Sequence, residues 1–220
     1  MGKKAFDIFK KYVNKIETEN KPKNILVALC GGKSVVSFYK EIGLRTEEIP
    51  FKKIRFFLID ERFDSTQRNF DLIKEQIIRN MNKEIAKQIK KNFFEIKGKT
   101  LEEATMNYKK KLLEFDTKMV FDILIVGVGE DGHIASLFPN HKLLNDTQKG
   151  FGFLNNSPKP PPERITLLPQ SILESKKTIL FFVGESKRKA YEKFKKDGDW
   201  KSCPARLIKK IEYTIITNLE

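Results

Sequence analysis

A histidine two residues beyond an aspartate, set in a glycine-rich turn, is the arrangement in this chain best suited to proton transfer. The stretch is Gly127-Val128-Gly129-Glu130-Asp131-Gly132-His133-Ile134-Ala135-Ser136-Leu137-Phe138-Pro139, and His133 is one of only two histidines among 220 residues. Asp131 can orient and polarise the imidazole, which makes a general base that titrates near neutral pH. Taken alone, the same residues also read as an Asp-Gly turn with an incidental histidine at a helix start.

Two further clusters carry chemistry. Gly31-Gly32-Lys33-Ser34 combines glycines, which let the backbone approach an anion, with the start of a helix, whose free N–H groups and dipole favour phosphate. The bland alternative is a tight turn with Ser34 as N-cap. A P-loop would require glycine at position 27, where Val27 stands, so that motif is not read here. Asp60-Glu61-Arg62, with Arg68-Asn69 shortly after, sets carboxylates beside a guanidinium. Such a group can bind sugar hydroxyls and phosphate, or can be an ordinary exposed ion pair.

The elements that must position these residues are legible in the hydrophobic pattern. Phe6, Phe9, Tyr12, Val13 and Ile16 recur at helical spacing, and Asn24 to Cys30 is a short apolar run ended by Gly31-Gly32. Helices are predicted from Ser34 to Ile42, through Phe70, Ile73, Ile77 and Ile78, from Thr100 to Phe115, and from Ser186 to Lys196. Strands are predicted at Ile54–Ile59, Phe121–Gly127, Arg164–Leu168, Thr178–Val183 and Tyr213–Ile216. Apolar strands separated by amphipathic helices imply a three-layer α/β fold, with a mostly parallel, Rossmann-like sheet and helices on both faces. The Pro-rich stretch Ser157–Pro162 reads as a loop, and no domain boundary is drawn across residues 1–220. In such a sheet ligands sit beyond the carboxyl ends of the strands, where all three clusters fall.

Composition narrows the partners. No apolar run approaches the roughly 18 residues of a spanning helix, and Met1-Gly2-Lys3-Lys4 leads into a charged segment rather than a signal core. A cytoplasmic protein with no membrane partner is the expectation. Cys30 and Cys203 lie far apart, each in an apolar stretch without a CxxC neighbour, which reads as reduced core thiols rather than a disulfide or metal site. The balance of 43 Lys+Arg against 29 Asp+Glu, net +14, favours anionic partners. Basic residues such as Lys10-Lys11, Lys109-Lys110-Lys111 and Lys195-Lys196 are spread along helical faces, with no arginine-rich tail, so solvated faces are read in preference to a nucleic-acid surface.

The stretch Gly127–Pro139 closely resembles the signature of the 6-phosphogluconolactonases, within the larger group that includes the glucosamine-6-phosphate deaminases. Supporting segments fall in family order: Gly31-Gly32, Asp60-Glu61-Arg62, Arg164-Ile165-Thr166, Gly184-Glu185-Ser186-Lys187 and Pro204-Ala205. The resemblance runs from about residue 24 to the end of the chain. Three segments depart from it: Lys33-Ser34-Val35 replace the last three residues of the usual Gly-Gly-Ser-Thr-Pro, the segment after Arg62 is shorter than usual with Arg68-Asn69 where Ser-Asn is usual, and the amino-terminal helix reads as abbreviated. The deaminases resemble the motif as far as Ala135 but continue Phe-Asn-Glu-Pro, with a ring-opening carboxylate where this chain has Phe138.

The resemblance implies hydrolysis of 6-phospho-D-glucono-1,5-lactone to 6-phosphogluconate, with His133 as base and Asp131 orienting it. It also implies phosphate binding by the backbone of Gly31, Gly32, Lys33 and Ser34, by Arg62 and Lys187, with Arg164 a further candidate and Asp60 a hydroxyl ligand. Backbone N–H groups of the Gly127–Gly132 turn are expected oxyanion donors. The expected partner is the phosphosugar lactone alone, acted on by a monomer without metal or organic cofactor. Competing readings are a phosphosugar isomerase or deaminase with Asp60 as carbon base, a nucleic-acid-binding module, and a non-catalytic sugar-phosphate sensor.

Overall fold

The computed structural model describes residues 1–20, 24–63 and 65–219. The amino-terminal half runs α1 (Gly2–Asn20), β1 (Ile25–Leu29), α2 (Val36–Leu44), β2 (Ile54–Leu58), β3 (Asp60–Arg62), α3 (Asn69–Ile78), α4 (Lys83–Ile89) and α5 (Leu101–Leu113). It continues with β4 (Ile123–Gly127), β5 (Phe151–Leu154), β6 (Arg164–Leu167), α6 (Pro169–Glu174), β7 (Lys177–Phe182), α7 (Arg188–Lys195) and β8 (Glu212–Thr217). Five strands form one parallel sheet in the order β2-β1-β4-β7-β8. No described helix is long and apolar enough to cross a membrane.

The continuous apolar runs are explained by burial on both sheet faces. Neighbouring residues of a strand point to opposite faces, and in β7 the ring of Phe181 meets Phe38 of α2 at 5.8 Å, while Phe182 meets Tyr191 and Phe194 of α7 at 5.1 and 5.2 Å. Helices therefore cover both faces, as the run of unbroken apolar residues requires. Every residue of β1 is buried, whereas the edge strand β8 is partly exposed.

A second sheet departs from the sequence expectation. Arg164–Leu168 reads as one more strand of the parallel sheet, but β6 pairs antiparallel with β3 and β5 in a separate three-stranded sheet. Ile59 joins the two sheets: its N–H donates to the Leu29 carbonyl, and its own carbonyl accepts from Leu167 N–H at 2.7 Å. The predicted strand Ile54–Ile59 thus ends in a change of sheet, which turns Asp60 and Arg62 toward the mouth of β1.

The outer edge of β2 is closed by α5 and the segment before it. Phe94 N–H donates to the Phe56 carbonyl, and Tyr108 Oη accepts the Leu58 N–H at 2.6 Å while donating to the Phe94 carbonyl. Tyr108 is buried, so Tyr108→Phe leaves the Leu58 amide without its acceptor. A loss of roughly 1–3 kcal/mol is expected, the cost of an unsatisfied buried donor, read as a lower urea midpoint at unchanged slope. An unaltered midpoint would show that water replaces the hydroxyl at this edge.

Candidate active site

The carboxyl ends of β1, β4 and β7 open into a cleft of about 750 Å³, a size suited to a small ligand. Gly31, Gly32, Lys33, Ser34, Asp60, Arg62, His133, Arg164 and Lys187 all line it. Asp131 stands behind His133. The elements bring every site residue expected from the sequence to one place.

The turn after β4 holds His133 closely. Asp131 Oδ1 lies 2.5 Å from His133 Nδ1 and also accepts the His133 backbone N–H at 3.2 Å. Nε2 is thereby left as the ring nitrogen facing the cleft, without a protein partner among the described residues. Only glycine fits at position 129, because a Cβ there would lie 2.1 Å from the imidazole. The other side of the ring packs on Phe138, centroid to centroid 4.7 Å. Burial works against the charge of Asp131, yet the hydrogen bonds and charge of His133, and the nearby Lys159 ammonium, hold its carboxyl well below the usual range.

Four of the six expected oxyanion donors are engaged, while the N–H groups of Glu130 and Asp131 have no protein acceptor among the described residues. Val128 N–H donates to the Phe181 carbonyl, Gly129 to His133, Gly132 to Gly129, and Gly127 to Cys30 Sγ. Two of these amides are satisfied within the turn and two by Phe181 and Cys30 outside it, which sequence spacing does not reveal. Cys30 also lines the cleft, but burial pushes its thiol up to about 12, leaving it protonated and a poor nucleophile near neutral pH.

Two matching turns form the opposite wall. Gly32 has φ +100° and ψ +163°, Gly184 has φ +100° and ψ +145°, and each leads into a 3-10 turn, Lys33–Val35 and Glu185–Lys187, that opens a helix. Positive φ favours glycine at both, and open space lies beside both Cα atoms. The first N–H groups of these helical segments have no intrahelical acceptor and sit where an anion would be held. The alternative reading of Ser34 as N-cap does not hold: it lies within the 3-10 turn, makes no cap bond, and its Oγ reaches the Val183 carbonyl at 3.4 Å. Ser186, the counterpart of Ser34, also lines the cleft; the sequence assigns it no site role because Gly-Glu-Ser carries no distinctive signal alone.

The third wall comes from the antiparallel sheet. Asp60 is buried, which raises its carboxyl above the ordinary value, opposed by the Ser136 hydroxyl and the charges of Arg164, His133 and Arg62. Ser136 Oγ donates to Asp60 Oδ2 at 2.7 Å, and Asn69 Nδ2 donates to the Asp60 carbonyl at 3.1 Å. Glu61, on the opposite face of β3, accepts the N–H groups of Asn69 and Phe70 at 2.7 and 2.8 Å and anchors the start of α3. The Asp60-Glu61-Arg62 cluster is therefore no exposed ion pair: two members face the cleft and one holds a helix. Arg164 is buried, with Nε and Nη2 donating to the carbonyls of Pro161, Lys159 and Pro160. Lys159 itself lines the cleft, a residue missed by reading Ser157–Pro162 only as a loop.

Burial lowers Lys187 from its ordinary value, as does nearby Lys159, while Glu130 and Asp131 act in the other direction. Lys187 and Lys159 thus share one electrostatic environment at the mouth of the cleft.

Comparison with known proteins shows the family. The family model for glucosamine-6-phosphate isomerases/6-phosphogluconolactonase matches residues 3–216. The chain is 35% identical to a 6-phosphogluconolactonase of Borreliella burgdorferi, over 98% of this chain and 90% of that protein. It is 30% identical to the Mycobacterium leprae 6-phosphogluconolactonase over 75% of this chain and 70% of that one. The crystal structure of the Thermotoga maritima 6-phosphogluconolactonase shares the fold with a TM-score of 0.82 at 24% identity, covering 99% of this chain and 95% of that chain. The chain therefore belongs to the glucosamine-6-phosphate isomerase/6-phosphogluconolactonase family.

Proposed function

We propose that this chain is a lactonase that hydrolyses 6-phospho-D-glucono-1,5-lactone to 6-phosphogluconate, the second step of the oxidative pentose phosphate pathway. The carrying observation is His133, its Nδ1 held by Asp131 and its ring packed on buried Phe138 at the edge of a cationic cleft. A deaminase needs a ring-opening carboxylate at the position of Phe138. An apolar ring against the imidazole supplies none. Lactone hydrolysis needs one base and a bound phosphate.

In this mechanism His133 Nε2 takes a proton from water as the oxygen attacks C1, and Asp131 stabilises the imidazolium that forms. The C1–O5 bond then breaks, and the imidazolium returns its proton to the leaving ring oxygen. The product is a carboxylic acid that releases one proton at neutral pH. Positioning contributes as well, since bound water and lactone react as one species.

The phosphate lies against the paired turns at Gly32 and Gly184, with Lys187, Arg62 and Lys33 as cations. Asp60, held by Ser136, accepts a sugar hydroxyl. The reading includes a single working domain, motivated by one contiguous core from α1 to β8, and a cytoplasmic setting, motivated by two free buried thiols.

The test is proton release on adding freshly generated 6-phosphogluconolactone. Saturable acceleration over buffer is expected; a rate equal to background would overturn the assignment. Lys187→Met is expected to raise KM by about tenfold, equivalent to one charge-assisted phosphate contact, with kcat little changed. An unaltered KM would remove Lys187 from the phosphate site.

A further inference from the structure

The Ser157–Pro162 loop fixes one backbone position with unusual thoroughness. Lys159 lies between Pro158 and Pro160, with Pro161 and Pro162 following, so φ is restricted along most of the segment. Ser157 Oγ accepts the Lys159 N–H at 3.2 Å and donates to the Lys159 carbonyl at 2.7 Å. From beneath, the Arg164 guanidinium donates to the carbonyls of Lys159, Pro160 and Pro161 at 3.1, 2.8 and 3.0 Å.

The side chain that this scaffold aims is loosely held. Lys159 Nζ is 3.7 Å from Asp131 Oδ2, and its side chain is 43% exposed. That distance is too long for a hydrogen bond, and an exposed ion pair of this kind contributes little to stability. The contact nevertheless places an ammonium beside the carboxylate whose other oxygen holds His133. Meanwhile four of the six N–H groups of the Gly127–Gly132 turn are engaged with protein acceptors, so few neutral donors remain for charge forming on the lactone carbonyl oxygen and a nearby cation is the stronger partner.

We propose that Lys159 is a further substrate-contacting residue, whose ammonium stabilises the negative charge that develops on the lactone carbonyl oxygen and persists on the product carboxylate, and that Arg164 is its positioning residue. The inference rests on the lactonase reading and adds a cation at the reacting end, distinct from the phosphate turns. Lys159 rests against Asp131 in the free protein and swings to the oxyanion as the tetrahedral centre forms. Arg164 acts through the loop rather than by binding phosphate, as its engaged Nε and Nη2 suggest.

The experiment compares two inhibitors sharing the phosphate and differing at C1: 6-phosphogluconate, with its carboxylate, and glucitol 6-phosphate, with a hydroxymethyl group. For Lys159→Met, kcat is expected to fall by about 10- to 100-fold, somewhat below the loss of a rigid oxyanion donor. Its Ki for 6-phosphogluconate rises about tenfold, the loss of one charge-assisted contact, while the Ki for glucitol 6-phosphate stays within about twofold. Lys187→Met raises both Ki values together, and Lys159→Arg restores most of the discrimination.

Arg164→Lys reproduces the loss of discrimination, and adding it to Lys159→Met causes no further loss, the non-additivity expected of residues acting in series. Unchanged kcat and an unchanged ratio of the two Ki values in Lys159→Met would overturn the proposal. An equal rise in both Ki values would also overturn it, by making Lys159 a phosphate ligand. A wild-type protein that neither accelerates hydrolysis nor binds either inhibitor would remove the lactonase reading itself.

Discussion

Replacing His133 with alanine is expected to lower kcat by about 10²- to 10⁴-fold, the usual contribution of a positioned general base, while the affinity for 6-phosphogluconate stays within about threefold. The two effects separate because the groups sit on different elements. His133 follows β4, whereas the turns proposed to hold phosphate follow β1 and β7 and do not depend on the imidazole for their geometry. The truncation leaves Asp131 with Lys159 as a partner, so the remaining carboxylate is not stranded without a counter-charge. Proton release at saturating lactone, corrected for the spontaneous reaction, measures the loss, and inhibition by 6-phosphogluconate checks the site. Turnover within tenfold of wild type would show that another group activates the water. Cys30 is a poor substitute because burial holds its thiol near 12.

Sequence pattern reveals this site unevenly, for physical reasons visible in particular residues. The strands β1, β4 and β7 are legible because burial on both faces demands unbroken apolar runs, and each run ends at a glycine that marks the mouth of the cleft. Strand direction is not encoded in such a run, so Arg164–Leu168 reads the same in a parallel or an antiparallel sheet. The three-residue β3 is too short and charged for any periodicity. Strand β5 is obscured by Gly152, and its partly exposed pattern matches neither simple alternation nor a continuous core run.

Side-chain roles follow the same division. Asp131 and His133 are local in sequence, and their contact is inferable from a two-residue spacing. The Ser136 to Asp60 hydrogen bond spans 76 positions, and only the fold brings it about. Lys159 is not legible in the sequence because a lysine among prolines is an ordinary loop residue, and only the fold brings Arg164, five positions later, onto its carbonyl. Likewise, the turn amides look free in the sequence, since nothing there shows that Phe181 and Cys30 accept from Val128 and Gly127.

Asp131→Asn is expected to lower kcat by about 10²- to 10³-fold, an effect on tautomer and charge rather than on contact area. In the native turn, one oxygen receives both the His133 backbone N–H and the ring Nδ1, which favours the proton on Nδ1 and leaves Nε2 for the proposed role of base. An asparagine that turns its amide nitrogen toward the ring reverses this arrangement: Nδ1 must accept, Nε2 carries the proton, and water finds no base. If the amide oxygen stays in place, the tautomer survives but the imidazolium formed during attack loses its counter-ion. Because the native carboxyl is held well below its ordinary value, the anion is present throughout the working pH range, and its removal disfavours the protonated ring. The acid-side fall of kcat/KM is therefore expected to move to lower pH in the variant even as the plateau drops. The pH profile from proton-release or coupled assays separates this outcome from simple damage, which would lower the plateau without moving its edge. An acid limb that stays in place, or a kcat within fivefold of wild type, would show that Asp131 orients the turn without influencing proton transfer.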